Sequence, residues 1–168
     1  MGPAALAICL TRKRDGAVVL ELRRADGTST WQKRTGPTAH FFAVHDLTHY
    51  AVETVLGYER AFYGLVAEGW DLADFGQPWP RGRLPDDALP AEVIVGCFDR
   101  QRAAGEPLTA DDCNATAASY FSNAGRESPL ALTDDDLARV RARLSDLVWR
   151  WYALPEGETL ELSFPGER

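Results

Sequence analysis

Two Asp-Gly pairs, Asp15-Gly16 and Asp26-Gly27, stand near the start of the chain, the first flanked on both sides by alternating apolar residues and the second preceded by them. Asp-Gly is a dipeptide that tight hairpin turns favour, because glycine takes up positive φ without a steric penalty. Leu6, Ile8 and Leu10 alternate before the first pair, Val18, Leu20 and Leu22 alternate after it, and the second pair leads into Thr28 to Arg34. This pattern predicts an antiparallel β-meander over residues 1–36, ended by Gly36-Pro37.

Beyond the meander the apolar spacing turns helical. Val44, Leu47, Ala51 and Val55 form one stripe of a helix from Phe41 to about Leu56, with Gly57 as its stop. Tyr58 to Trp70 reads as a second helix, antiparallel to the first because the connection is so short. The Pro- and Gly-rich stretch from Gly76 to Pro85 carries Trp79 and is of the kind that covers sites or simply connects elements. Three further helices are expected: Pro90 to Arg102 closed by Gly105, Thr109 as a cap leading to about Asn123, and Thr133 capping the stripe Leu137, Val140, Leu144, Leu147, Val148 and Trp151. Leu160, Leu162 and Phe164 alternate in a last strand that rejoins the N-terminal sheet.

The expected fold is therefore α+β: an N-terminal antiparallel β-meander joined by a C-terminal strand, with about five helices packed on one side. A length of 168 residues fits a single domain over 1–168, divided into the meander (1–36), a helix pair (41–70), a helical section (86–153) and the final strand (158–165). The five tryptophans are expected to be core or groove walls.

A net charge of −7 argues against general nucleic-acid binding. Arg12, Lys13, Arg14, Lys33 and Arg34 form one basic exception, either a charged sheet edge or an anion contact. Cys9, Cys97 and Cys113 are odd in number and widely spaced, which predicts reduced, buried thiols in a cytoplasmic protein. The apolar run from Ala4 to Leu10 is too short for a membrane span and lacks the flanks of a secretory signal. The partner expected is an unidentified small molecule or protein, with no nucleic acid and no membrane.

All three histidines fall within ten residues, His40, His45 and His49, and two belong to the string His45-Asp46-Leu47-Thr48-His49 with Glu53 four residues on. Positions i and i+4 share one helix face, the spacing with which two imidazoles grip one metal ion. Zinc or another divalent transition metal is the ion expected, and a third ligand must come from elsewhere. Glu68 would reach the level of His45 if the helix pair folded back around Gly57; His40 is the other candidate, and Asp71 and Asp74 are more remote. Glu53 stands two turns from His45, so it orients His49 through a hydrogen bond, serves as an acid or base at the groove edge, or pairs with Arg60. Asp46 either moves protons for bound water or stabilises the first turn of its helix.

His45-Asp46-x-x-His49 resembles the His-Glu-x-x-His helix of zinc peptidases, and the eighteen residues between His49 and Glu68 match the spacing to the third ligand in one aminopeptidase branch. Asp46 departs from that pattern, being one methylene shorter than the glutamate general base. The string is also similar to that of zinc-bearing ubiquinone-biosynthesis proteins, whose third ligand would fall at Ala61. In wording it is closest to a group of small bacterial proteins of unknown function with a meander, a His-Asp-Leu-x-His-x-x-Val-Glu helix, and a Gly- and Ala-containing segment like Phe62 to Gly69. That likeness covers the first half of the chain and implies no activity.

Two functions follow. One is a metal-dependent hydrolase or lyase in which His45 and His49 hold the ion, Glu68 or His40 completes it, and Asp46 or Glu53 moves protons. The other is a non-enzymatic binding or interaction protein in which His45, Asp46, His49 and Glu53 form a structural hydrogen-bond network.

Overall fold

A computed structural model describes residues 5–166; Ala4, the first residue of the apolar run, lies outside them. The meander consists of β1 (Leu6–Arg12), β2 (Val18–Arg24) and β3 (Ser29–Arg34), paired antiparallel with Leu10 opposite Leu20 and Leu22 opposite Thr30. Both turns are built alike. The glycine N–H donates to the carbonyl three residues back, from Gly16 to Lys13 at 3.1 Å and from Gly27 to Arg24 at 3.0 Å. The preceding aspartate accepts from the backbone N–H two residues on, at 3.0 Å for Asp15 and 2.8 Å for Asp26. With φ of 80° and 86°, Gly16 and Gly27 occupy the left-handed position that closes such a hairpin, and no β-carbon would sit there without strain.

The last strand, β4 (Thr159–Phe164), lies antiparallel beside β1, giving the order β3-β2-β1-β4. Leu6, Ile8, Leu10, Leu20, Leu22, Leu160 and Phe164 alternate inward and are buried, whereas Ala7, Glu21 and Glu161 face away from the core. This is the α+β architecture expected, completed by α1 (Ala39–Leu56), α2 (Phe62–Ala67), α3 (Leu89–Ala104), α4 (Ala110–Asn123) and α5 (Asp134–Ala153). No helix among the described residues is long and apolar enough to cross a membrane.

The caps decide where these helices begin and end. Thr109 and Thr133 each accept from the backbone N–H three residues on, while Asp112 and Asp136 reach back to the cap residue. These reciprocal boxes satisfy amides that the first turn leaves free. Gly57 and Gly105, both left-handed, end α1 and α3. Helix α1 packs on α5 and α3, burying Leu47, Ala51, Ile94, Leu147 and Trp151 in one apolar cluster with the sheet. Of the tryptophans expected in core or groove, Trp31 and Trp149 instead stand exposed on the surface.

The helix expected from Tyr58 to Trp70 is much shorter. Glu53, at the end of α1, turns its carboxylate onto the start of α2, where Oε2 accepts from the Tyr63 N–H at 2.9 Å. A helix running through Tyr58 would tie that amide to its own backbone, so the glutamate moves the start to Phe62. The intervening chain passes so closely over α2 that a β-carbon on Gly64 would lie 1.8 Å from the Glu59 carbonyl oxygen. Gly64→Ala must therefore displace backbone, and it is expected to destabilise the protein by about 1–3 kcal/mol in urea denaturation. An unchanged midpoint would show that this connection does not pack as described.

Candidate functional site

His45 and His49 lie on one face of α1 with ring centroids 4.9 Å apart, edge to face. Helix α3 docks beside them and contributes Glu92 and Asp99, seven residues or two turns apart on the same side. His45 Nδ1 meets Asp99 Oδ2 at 2.6 Å, and the other Asp99 oxygen is held by Arg102. His49 Nδ1 meets Glu53 Oε1 at 3.3 Å, leaving its Nε2 3.9 Å from Glu92 Oε1. Each imidazole is thus anchored at Nδ1 by its own carboxyl group, which fixes the ring and leaves Nε2 as the nitrogen not so held.

Beside them, between α1, the end of β3 and the segment after α2, lies a cleft of about 300 Å³ whose polar wall is formed by Gln32, Arg34, His45, Asp46, His49 and, from α3, Glu92. Phe42, Phe62 and Phe75 line the apolar side, and the Arg34 guanidinium rests 4.2 Å over the Phe42 ring. The Pro- and Gly-rich loop covers the cleft with Gly76, Trp79 and Leu84. Trp79 has a φ of 62°, a left-handed conformation that costs a bulky residue on the order of 1–3 kcal/mol. The surrounding loop holds the indole there, against the site.

The four ionisable groups on this stretch of α1 differ in proton affinity. Burial pushes His49 down to about 4, against the pull of Glu92, so its imidazole is neutral. Burial also opposes charge on His45, but the Asp99 hydrogen bond and charge outweigh it and raise its pKa above the ordinary histidine value. Asp46 is carried up to about 7 by burial, partly offset by His45 and Arg34. Glu53 is raised well above the usual carboxylate range by burial, against the backbone N–H groups of Tyr63, Gly64 and Phe62. Below this turn, the buried Tyr63 hydroxyl donates to the Asp46 carbonyl at 2.9 Å and ties α2 to α1.

The structure brings together His45, Asp46, His49 and, beneath them, Glu53, and places the other candidates elsewhere. Glu68 faces solvent and is gripped by Arg60, with contacts of 2.7 and 3.1 Å, because the shortened α2 never carries it to the level of His45. His40 lies inside the first turn of α1, stacked on Tyr152 with Trp151 tilted beside it, and does not line the cleft. Asp71 pairs with Arg24 and Asp74 with Arg81. Among the described residues, no group of three or more histidine, cysteine or acidic side chains is placed to hold a metal ion. Asp46 does not serve the first turn, since the helix begins seven residues earlier, at Ala39. Glu53 is no groove-edge acid: it is 1% exposed and is bound to His49 and Tyr63, while Arg60 holds Glu68 and Asp87 instead.

Asp99, Glu92 and Arg34 were not singled out as site residues by sequence reasoning, Arg34 having been placed in the basic sheet edge. The one available signal is the spacing of Glu92 and Asp99, which puts two acids on a single α3 face. No family model, curated protein or solved structure matches this chain.

Asp46 supplies a pH test. Its carboxyl is protonated in the fold up to about pH 7 but ionises near 3.9 when unfolded, so its contribution to stability is full below about pH 4 and is lost as pH rises through 7. Asp46→Asn removes that loss. The variant is expected to match wild type near pH 4 and to exceed it by about 2–4 kcal/mol at pH 8 in chemical denaturation. A stability difference that does not change with pH would contradict the buried, protonated carboxyl.

Proposed function

We propose that the cleft between α1, the end of β3 and the segment after α2 binds a small molecule and that His45, oriented by Asp99, exchanges a proton with it, in the manner of a hydrolase or lyase. The observation that carries this reading is the 2.6 Å contact from His45 Nδ1 to Asp99 Oδ2 on a histidine that lines the cleft. A carboxylate at Nδ1 holds the ring in one tautomer, with Nε2 as the atom that takes or gives the proton, and it stabilises the imidazolium formed. Asp46 stands beside it as a second proton carrier whose pKa, near 7, suits it to either direction of transfer. Arg34 supplies a fixed positive charge across the cleft, and Trp79 with the phenylalanines excludes water from a bound ligand.

His49 and Glu53 have a different part. Their contact lies in the protein interior and continues into the start of α2, so it supports the wall on which His45 stands. The hydrogen-bond network expected from the sequence thus describes one half of the cluster, and proton chemistry the other. No step is assigned to a metal, since the third ligands expected, Glu68 and His40, stand elsewhere.

The test is turnover of chromogenic esters, amides and phosphoesters by untagged protein, with His45→Ala and Asp99→Asn assayed beside it. Activity is expected to fall about 10²–10⁴-fold in His45→Ala. In Asp99→Asn the acid limb of the pH profile should move to lower pH, because the carboxylate raises the His45 pKa. Full activity in His45→Ala would overturn the reading. About one transition-metal ion per chain, lost when His45 and His49 are both replaced by alanine, would replace it with metal-dependent chemistry.

A further inference from the structure

A second chemically competent cluster lies on the far side of α3, away from the histidine cleft. Cys97 on α3 and Cys113 on α4 are both buried where the two helices pack, close enough that each thiol bears on the other's ionisation. Arg100, one turn after Cys97, places Nη2 3.4 Å from the Cys97 sulfur and 3.0 Å from the Thr116 hydroxyl on α4. The guanidinium touches Cys97 and not Cys113, so it breaks the symmetry of the pair. Cys97 is only 1% exposed, but together with Arg100, Leu108 and Asp112 it lines a cavity of about 600 Å³, and Cys113 behind it is fully enclosed. Of the two cysteines only Cys97 lines that cavity, and it is also the one that the cation touches.

We propose that Cys97 and Cys113 are a reversible redox pair, in which Cys97 is the peroxide-reactive thiolate and Cys113 the resolving thiol that closes a disulfide between α3 and α4. The contacts with Cys113 and Arg100 hold the Cys97 thiol below the ordinary cysteine range despite burial, while Cys113 is pushed above it. In the first step the Cys97 thiolate attacks one oxygen of hydrogen peroxide; the O–O bond breaks, Cys97 becomes a sulfenic acid, and hydroxide leaves. In the second, Cys113 sulfur attacks the sulfenic sulfur, the S–O bond breaks, and hydroxide departs as water with the thiol proton. Two thiols lose two electrons and the peroxide gains them. Cys9 lies on the sheet among Glu21, Arg23 and Glu161, with its thiol pushed up chiefly by burial, and serves as the unreactive control.

The full-length protein is exposed to excess hydrogen peroxide, denatured, and analysed for free thiols and for linked peptides. The thiol count is expected to fall from three to one, with Cys97 and Cys113 joined in one peptide pair, and to return to three with dithiothreitol. Cys113→Ala should leave a Cys97 sulfenic acid that dimedone traps, and Arg100→Gln should slow thiol loss about tenfold or more. A count that stays at three, or one that falls through Cys9, sulfinic acid or links between chains without the 97–113 pair, would overturn the proposal. If Cys113→Ala does not fold, the peptide map of the wild-type protein decides alone.

Discussion

The Glu53 carboxylate is the constraint on which the site depends. It is buried at the end of α1, and its two oxygens serve two elements: one takes the Tyr63 N–H that opens α2, the other meets His49 Nδ1. Burial holds that carboxyl group well above the usual carboxylate range, and its place is fixed because it answers backbone amides that would otherwise lack partners. The same contact sets the length of α2, brings the Glu59 carbonyl over Gly64, and fixes the orientation of His49. Removing one partner of such a buried arrangement costs about 1–3 kcal/mol, enough to loosen the whole wall of the cleft.

From that anchor the cluster divides. Both histidines line the cleft, but His49 is the more deeply buried, neutral, and bound within its own helix, while His45, one turn earlier, is partly exposed and bound to a different helix. Asp99 reaches His45 only because α3 packs along α1, and Arg102 steadies the second Asp99 oxygen. Two residues with the same chemistry and helical spacing thus acquire opposite proton affinities from their partners and burial. The loop bearing Trp79 completes the enclosure, holding a bulky residue in a conformation it would not adopt unaided.

Much of the fold was legible because its signals are local. Asp15-Gly16 and Asp26-Gly27 mark both hairpins, Thr109 and Thr133 mark two helix starts, and Gly57 and Gly105 mark two ends; each acts within a few residues of itself. The α2 start was illegible because it is decided by a side chain ten positions upstream, Glu53, acting through space. That one error displaced Glu68 from the assigned site, since its expected position assumed a long, antiparallel second helix. Asp99 and Glu92 join the site only through the packing of α3 against α1, which no local pattern in the sequence reveals. The link from Glu53 to His49 was legible, being a contact between positions four apart on one helix.

The most direct test of this account is a pH titration of the imidazole nitrogens by ¹⁵N nuclear magnetic resonance on the wild-type protein. His45 is expected to titrate above the ordinary histidine value, with its proton on Nδ1 when neutral. His49 is expected to stay neutral until the pH approaches about 4. If both imidazoles titrated together near the ordinary value, the division into an Asp99-bound His45 and a neutral, buried His49 would be contradicted.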